Sequence, residues 1–425
     1  MIMKRLSYIF TTILAAVSLS SCFNEIEDVF PQSSTERLTQ EEQECLDLLL
    51  SSEQGWLVQY YPSASRTYGG FAYAMKFGED GNVTVAFEQA SDPEVTVTSH
   101  YSINGSSSVT LTFDTYNDYI HALSDPDFYG GNAFEGDFEF AFIDGSSERI
   151  EFRGIKTGNR IVFIALDAET DIISAINNVL DMKNQYFMSY NLGGSIAMEC
   201  DPNGYNNLYY TPDPQNPYAV QEVPFAYSVD GLTFYEPVPV GAGSVQDFAW
   251  NEEKECFVSK EDASVELVGE RNPMFMDYED YLGTYTLNYN RNASIEVTLT
   301  PAEYGSTYYM EGFFGYTPVV SWTPSGFLSL LCQYLGQDGS YYVWLCPWDG
   351  ATGYYTWSTS VGFNLVNNGT DPDNLVLTFE DNGAWGSYQA TSILIYAFSS
   401  QTASSSTGLG YLEQVPSPTT LVKNN

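Results

Sequence analysis

The sequence predicts an all-β chain: tandem antiparallel β-barrel or sandwich units accompanied by two short amphipathic helices. Three observations predict it. Runs of five to eight residues alternate apolar and polar, the period of a strand with one buried face. Gly, Asn and Asp pairs punctuate those runs at regular spacing, as an up-and-down or sandwich fold requires. Aromatic residues make up 16% of the chain, with 33 Tyr, 26 Phe and 7 Trp, and flat rings pack well on pleated faces.

Element by element, "TERLTQEEQECLDLLLSS" puts Leu38, Cys45, Leu46, Leu49 and Leu50 at helical spacing. Thr39 stands as N-cap with Glu42 three residues on, which predicts a helix at about 39–51. The period then changes to two. "WLVQYY" (56–61), "FAYAMKF" (71–77) and "VTVAFE" (83–88) read as strands, the last two joined through Asp80-Gly81, where glycine supplies the positive φ of a tight turn. "VTVTSHYSI", "SVTLTFD", "GDFEFAFI", "ERIEFRGI" and "NRIVFIAL" complete a first β unit, residues 37–167. "DAETDIISAINNVLDMK" predicts the second helix, with Ile172, Ile173, Ile176, Val179 and Leu180 on one face. "QYFMSYN", "GSIAMEC", "NNLYYT", "FAYSVDGLTFYEP", "VQDFAWN" and "CFVSK" then form a second unit, 168–270. Helix followed by aromatic-rich strands thus occurs twice, without the residue-level similarity that would establish a duplication. In the third unit, 277–425, the strands are "GTYTLNY", "SIEVTLT", "TYYMEGFF", "FLSLLCQYL", "SYYVWLC", "LVLTFED" and "SILIYAF", with a tail strand "YLEQVPSP". Its pattern predicts a lipocalin-like antiparallel barrel or sandwich.

The N-terminus carries its own chemistry. Lys4 and Arg5 precede the apolar "LSYIFTTILAAVSL", the length and polarity of a secretory signal and too short for a membrane-spanning helix. Leu19-Ser20-Ser21-Cys22 resembles the bacterial lipobox, in which the Cys sulfur takes a diacylglycerol and cleavage leaves it as the acylated N-terminus. Residues 1–21 are then a lipoprotein signal peptide, Cys22 the lipidation site and 22–36 a tether. The plainer alternative is a cleaved signal with a coincidental Cys. Acyl chains contribute roughly 0.8 kcal/mol per buried methylene, so the anchor needs no help from the body. Glu25, Glu27 and Asp28 resemble the acidic tag that carries Bacteroidota lipoproteins to the outer face of the outer membrane; the alternatives are an ordinary solvated tether and the periplasmic face.

Charge excludes one function class. The chain has 15 basic and 55 acidic side chains, a formal −40. Such a surface repels phosphate backbones, whose binding needs Lys and Arg to displace counterions.

Candidate chemistry is sparse. With Cys22 lipidated, Cys45, Cys200, Cys256, Cys332 and Cys346 remain, an odd number, so at least one stays unpaired or pairs between chains. Cys332 and Cys346 flank the turn "GQDG" and face each other across a hairpin only if the register allows, since a slip of one residue separates them. The chain contains no CxxC or HExxH, and its two His are His100 and His121, so no metal site and no cofactor are expected. Asp114 and His121 lie close in "DTYNDYIH", but no nucleophile elbow accompanies them, and His121 is read as a loop-filling residue; no catalytic residue is assigned. The loops "DPNGYNN" (201–207) and "DPDN" (371–374) carry oxygens for calcium but lack the twelve-residue pattern with its final bidentate Glu; they read as surface turns. No carboxylate pair stands out for glycoside hydrolysis. The most distinctive feature is "SYYVWLCPWDG" with "GYYTWSTS". Tyr342, Trp344, Trp348, Tyr354, Tyr355 and Trp357 are the candidate ligand-binding residues, with alternation sending Tyr342 and Trp344 to one face and Tyr341 to the other. Rings left exposed offer flat platforms for sugar faces; core packing is the competing explanation.

"GWLVQYYP" with "YGGF", "KFGEDGNVTV", "LTFDTYNDYIHALSDP", "GDFEF" and "IKTGNRIVF", followed by "DGLTFYEPVPV" and "VQDFAWN", resemble blocks of an uncharacterised family of Bacteroidota surface lipoproteins, over about residues 30–265. The last 150 residues resemble a separate module found on other lipoproteins of these bacteria. The resemblance transfers no catalytic residue. It implies an envelope setting beside nutrient importers and zinc metallopeptidases. The expectation is a non-catalytic ligand-binding or accessory subunit of a nutrient-uptake system, for glycan or peptide. The alternatives are a structural or assembly partner of an importer or metallopeptidase, and, third, a hydrolase.

Overall fold

The computed structural model describes residues 34–105, 108–125, 133–213, 215–303 and 305–424. Cys22, the signal segment and most of the tether lie outside the described residues. The fold is mostly antiparallel β, with two α-helices and four sheets among the described residues. Two compact units emerge: the described residues up to Asn184 with Asp201–Val265, and Gln185–Cys200 with Glu266 onward.

Helix α1 spans Ser34–Leu50, five residues earlier than predicted. Thr39 therefore lies inside the helix and is not its cap. Its apolar face buries Cys45 and Leu49 against the sheet, and the next segment is stapled to it by Trp56, whose Nε1 donates to Leu49 O at 2.9 Å.

Nine strands form the first sheet: β1 Trp56–Tyr60, β2 Phe71–Phe77, β3 Asn82–Phe87, β4 Val97–His100, β5 Ser102–Gly105, β6 Val109–Thr112, β7 Glu139–Gly145, β8 Arg149–Gly154 and β9 Arg160–Ala165. They run in the order β4-β3-β2-β1-β9-β8-β7-β6-β5. The run "VTVTSHYSI" is two strands, broken at Tyr101, and these are the two ends of the sheet. Rings from neighbouring strands fill its core: Tyr73 stacks on Phe87 at 4.3 Å and Phe152 meets Phe163 at 4.9 Å. Helix α2, Ile172–Lys183, is capped by Asp171, which accepts from Ser174 N at 2.8 Å, and buries Ile172, Ala175, Ile176 and Val179.

The second sheet is a closed barrel of eight strands in chain order, from β10 Ser189–Leu192, β11 Ile196–Cys200, β12 Asn207–Tyr210, β13 Gln221–Tyr227 and β14 Gly231–Val240 to β15 Gly243–Asn251, β16 Cys256–Ser259 and β17 Glu266–Glu270. "FAYSVDGLTFYEP" contributes to two of these strands and the turn between them. The last strand, "ELVGE", was not foreseen from its polar composition.

The C-terminal part is more elaborate than the single lipocalin-like unit expected. A closed barrel joins β18 Gly283–Tyr289, β19 Ala293–Glu303, β20 Thr307–Glu311, β21 Val319–Thr323, β22 Phe327–Leu331, β25 Gly362–Asn367, β26 Val376–Asp381 and β29 Thr420–Lys423. A separate four-stranded sheet has the order β23-β24-β27-β28, made of Gln333–Asp338, Tyr341–Trp348, Ser392–Phe398 and Gly408–Pro416. The apolar run "FLSLLCQYL" is not one strand. Its first half belongs to the barrel and its second to the sheet, and the chain changes over at Cys332, whose N–H bonds Val361 O at 2.9 Å while Gln333 pairs with Leu345.

Candidate functional site

Alternation along β24 sorts its side chains. Val343 and Leu345 point into the core shared with the barrel, together with Ile393 and Ile395 of β27. Tyr342, Trp344, Cys346 and Trp348 face the other way, beside Leu394, Tyr396 and Phe398. On this outer face the loop that follows β24 folds back, so that Tyr355 and Trp357 pack over the strands. Tyr355 lies 4.7 Å from Tyr396, nearly parallel, and its hydroxyl donates to the Tyr396 hydroxyl at 3.0 Å. Burial, then that hydrogen bond, pushes the Tyr355 hydroxyl up to about 12. Trp357 meets Phe398 at 6.2 Å. Of the six residues singled out from sequence, Trp348, Tyr355 and Trp357 thus pack around a small apolar cluster with Cys332 and Cys346. Tyr342 and Trp344 stay half-buried next to Tyr334, at 6.3 and 6.0 Å, and Trp344 Nε1 donates to Gln401 O at 3.2 Å. Tyr341 sits exposed at the strand's start.

Tyr354 separates from the other five. It is 59% exposed and leads a row of rings sequence reading missed. Its ring lies 5.1 Å from Tyr388, which lies 5.5 Å from Trp385. Two loops carry this ladder, and each is braced by its own carboxylate. Asp349 Oδ1 accepts from Ala351 N (2.9 Å) and Thr352 N (3.2 Å), and Asp349 N donates to Tyr354 O at 2.8 Å. Asp381 accepts from Ala390 N (2.8 Å) and Gly383 N (3.2 Å). Asn382 ties the loops together, donating from Nδ2 to Ser360 O at 2.9 Å. Rings held this way lose little conformational freedom on meeting a ligand. The sequence signal was present in "AWGSYQA", an aromatic pair three residues apart inside a polar Gly/Ser turn.

Among the described residues, the clefts of the first unit include two with polar linings. One, of about 200 Å3, is lined by Tyr68, Phe134 and Tyr205 with Gln89, Asn203 and Lys183. Lys183 also reaches the buried carboxylate of Glu88 at 3.2 Å. The other, of about 160 Å3, contains Asp167, Asp230, Asp247 and Lys260. There Lys260 pairs with Asp230 at 2.8 Å, and Asp247 accepts from Thr233 Oγ1 at 2.8 Å.

Asp114 and His121 do not form a dyad. Asp114 Oδ1 lies 2.7 Å from His100 Nδ1, and the hydrogen bond from His100 holds the Asp114 carboxyl below its usual range. His121 lies between Tyr116 and Phe138, with ring centroids at 5.0 and 5.2 Å. Its Nδ1 is 3.1 Å from Asn117 N. The two acidic loops spend their oxygens locally: Asp201 accepts from Asn203 N and Tyr209 OH, and Asp371 from Asp373 N and Asn374 Nδ2. Among the described residues, no group of three or more His, Cys, Asp or Glu is placed to hold a metal ion.

Residues 26–252 match the family described as Domain of unknown function (DUF4302). The chain belongs to this family. Residues 259–396 match a second domain of unknown function, DUF4987, and the Tyr354–Tyr388–Trp385 ladder falls inside it. The two matches cover most of the chain. No curated protein matches it. Within the DUF4302 segment lie both clefts' aromatic and Asn-rich linings up to Asp247.

Proposed function

We propose that this DUF4302 protein is a Bacteroidota surface lipoprotein, anchored through Cys22 on the outer membrane, that holds a neutral glycan as a non-catalytic accessory subunit of a nutrient-uptake system. The observation that carries the ligand reading is the row formed by exposed Tyr354 with half-buried Tyr388 and Trp385 on two braced loops. Adjacent rings 5.1 and 5.5 Å apart, tilted by 53° and 46°, offer separate apolar faces to the C–H faces of sugars. The formal charge of −40 disfavours polyanionic ligands. The lipobox-like "LSSC" and the acids after it support the anchor and its address.

Calorimetry and glycan arrays with the chain lacking residues 1–22 test the ligand. Binding should fall at least 10-fold in Tyr354→Ala/Tyr388→Ala, with the circular dichroism spectrum unchanged. Silence across neutral glycans sinks the reading. Protease shaving of intact cells tests the address: a protein left untouched belongs on the periplasmic face.

A second reading, an assembly partner of an importer or metallopeptidase, draws on β28. This strand ends the four-stranded sheet and leaves Leu409, Tyr411 and Leu412 at 55, 59 and 44% exposure. Unpaired edges of this kind accept strands from other chains. Co-purification that is lost in Leu409→Lys/Leu412→Lys would favour it.

A further inference from the structure

The cysteine pair under the aromatic face has a geometry of its own. Gln333 pairs with Leu345 across the β23–β24 hairpin, so the next position along sets Cys332 opposite Cys346. Directly opposed residues in an antiparallel pair have Cα atoms about 4.5–5.5 Å apart, inside the span of about 4.4–6.8 Å that a disulfide bridges. Both side chains point to the same outer face and belong to one apolar cluster. Cys332 is 2% exposed and Cys346 0%. Cys332 Sγ donates to Thr356 O at 3.7 Å, and the Cys346 thiol is hydrogen-bonded to Cys332 in turn.

We propose that Cys332 and Cys346 form a disulfide that closes the hairpin at the point where the chain leaves the barrel. The bond is made on the folding chain, before the cluster closes. In the folded protein the Cys332 sulfur and then burial push the Cys346 thiol well above its ordinary range, and a buried neutral thiol is a poor nucleophile. The oxidant is a small disulfide such as glutathione disulfide, or the disulfide of an exchange protein. One cysteine thiolate attacks it, forming a mixed disulfide and releasing one thiolate. The second cysteine thiolate displaces the other half. Two cysteine thiols are oxidised, one disulfide is reduced to two thiols, and the two cysteine protons end on those thiols. The bond removes the Cys332 S–H that holds Thr356 O, and the segment carrying Tyr355 and Trp357 keeps its packing, the Tyr355 to Tyr396 hydroxyl bond and the Thr356 N to Pro347 O bond at 3.1 Å. The inference is independent of the ligand and rests on the proposed envelope address for an oxidising compartment.

The test is refolding of the full chain from reductant and urea into a glutathione redox buffer, a quench with N-ethylmaleimide in denaturant, and peptide mass mapping. The expected product is one linked peptide pair, Cys332 with Cys346, carrying no maleimide. Maleimide on both residues in most molecules, or a link from either to another cysteine, overturns the proposal. A second readout is thermal. Closing a 15-residue loop corresponds to a fall of about 5–10 °C in Tm on adding dithiothreitol to the oxidised protein. Cys332→Ala/Cys346→Ser should be blind to dithiothreitol, and an equal response in both proteins refutes the bond.

Discussion

Asp137 is buried in the first unit and organises the β8–β9 turn. Its carboxylate accepts from Lys156 N, Thr157 N and Thr157 Oγ1, each at 2.8 Å, while its own N–H donates to the hydroxyl of Tyr60. Hydrogen bonds to a charged acceptor contribute about 1.5–3 kcal/mol each. Lys156 lies at an exposed turn, where water replaces part of what is lost, so Asp137→Ala should cost about 3–5 kcal/mol. Asp137→Asn keeps one acceptor oxygen and turns a donor toward donors, which should cost about 2–3 kcal/mol. Equilibrium urea unfolding reads both. With a slope near 3 kcal/mol per molar, the midpoint should fall by about 1–1.7 M for Ala and by about 0.7–1 M for Asn, the slope unchanged. Gly154 supplies an independent check, because a Cβ there would lie 2.2 Å from Asp137 Oδ2; Gly154→Ala should destabilise as much as Asp137→Asn. A midpoint within 0.2 M of wild type for Asp137→Ala, on the order of the extrapolation error, would refute the reasoning that this carboxylate organises the turn.

Gly69 has φ +66°, and a Cβ on it would meet Asn206 O at 2.2 Å; Gly69→Ala should lower Tm by several degrees in a thermal melt, since strain and overpacking each cost about 1–3 kcal/mol. Cys45 is fully buried, and burial, then Glu44, pushes its thiol up to about 12. Maleimide should leave Cys45 unmodified in the folded protein and label it once urea unfolds the chain, as peptide mapping will show. His121 is held below the ordinary histidine value, chiefly by burial. The unfolded chain therefore binds its proton first, so this residue's share of stability is present above about pH 6.5 and declines as pH falls from there through the folded-state value. An NMR titration of the His121 ring should give a midpoint below 6.5, and His121→Gln should flatten the pH dependence of Tm across that window.

Three strands, Phe71–Phe77, Gly283–Tyr289 and Ser392–Phe398, have the limits that alternation and turn residues predicted. Each has one hairpin partner next to it in the chain, β3, β19 and β28 respectively, so the local pattern contains much of the information. The strands that escaped notice, "ELVGE", "VVSWT", "GFNLVN" and "TLVK", are short and half polar; they become strands because a barrel needs closing. Leu421, for example, is fixed by pairing with Leu287 and Leu377 on two distant strands. The division of "FLSLLCQYL" is likewise decided by partners: Val361 on one side and Leu345 on the other. At the candidate site, residue type singled out the region, but the count of rings could not say which were covered. Tyr354 and Tyr355 are adjacent in sequence, yet one stands 59% exposed and the other stacks on Tyr396. Trp385 and Tyr388 join Tyr354 through contacts between segments distant in the chain, among them Asn382 to Ser360 and Gly350 to Thr391, which no local pattern contains.

The strand Tyr341–Trp348 serves two clusters by parity: Val343 and Leu345 close the core shared with the barrel, while Tyr342, Trp344, Cys346 and Trp348 lie on the opposite face. Changes at the half-buried Tyr342 and Trp344 therefore disturb the barrel core less than changes at Val343 or Leu345, and a lineage can revise this face one ring at a time. A single inserted residue is a different matter. It would exchange the two sets at once, turning Trp344 inward and Leu345 outward, so evolution on this strand should proceed by substitution and leave its length alone.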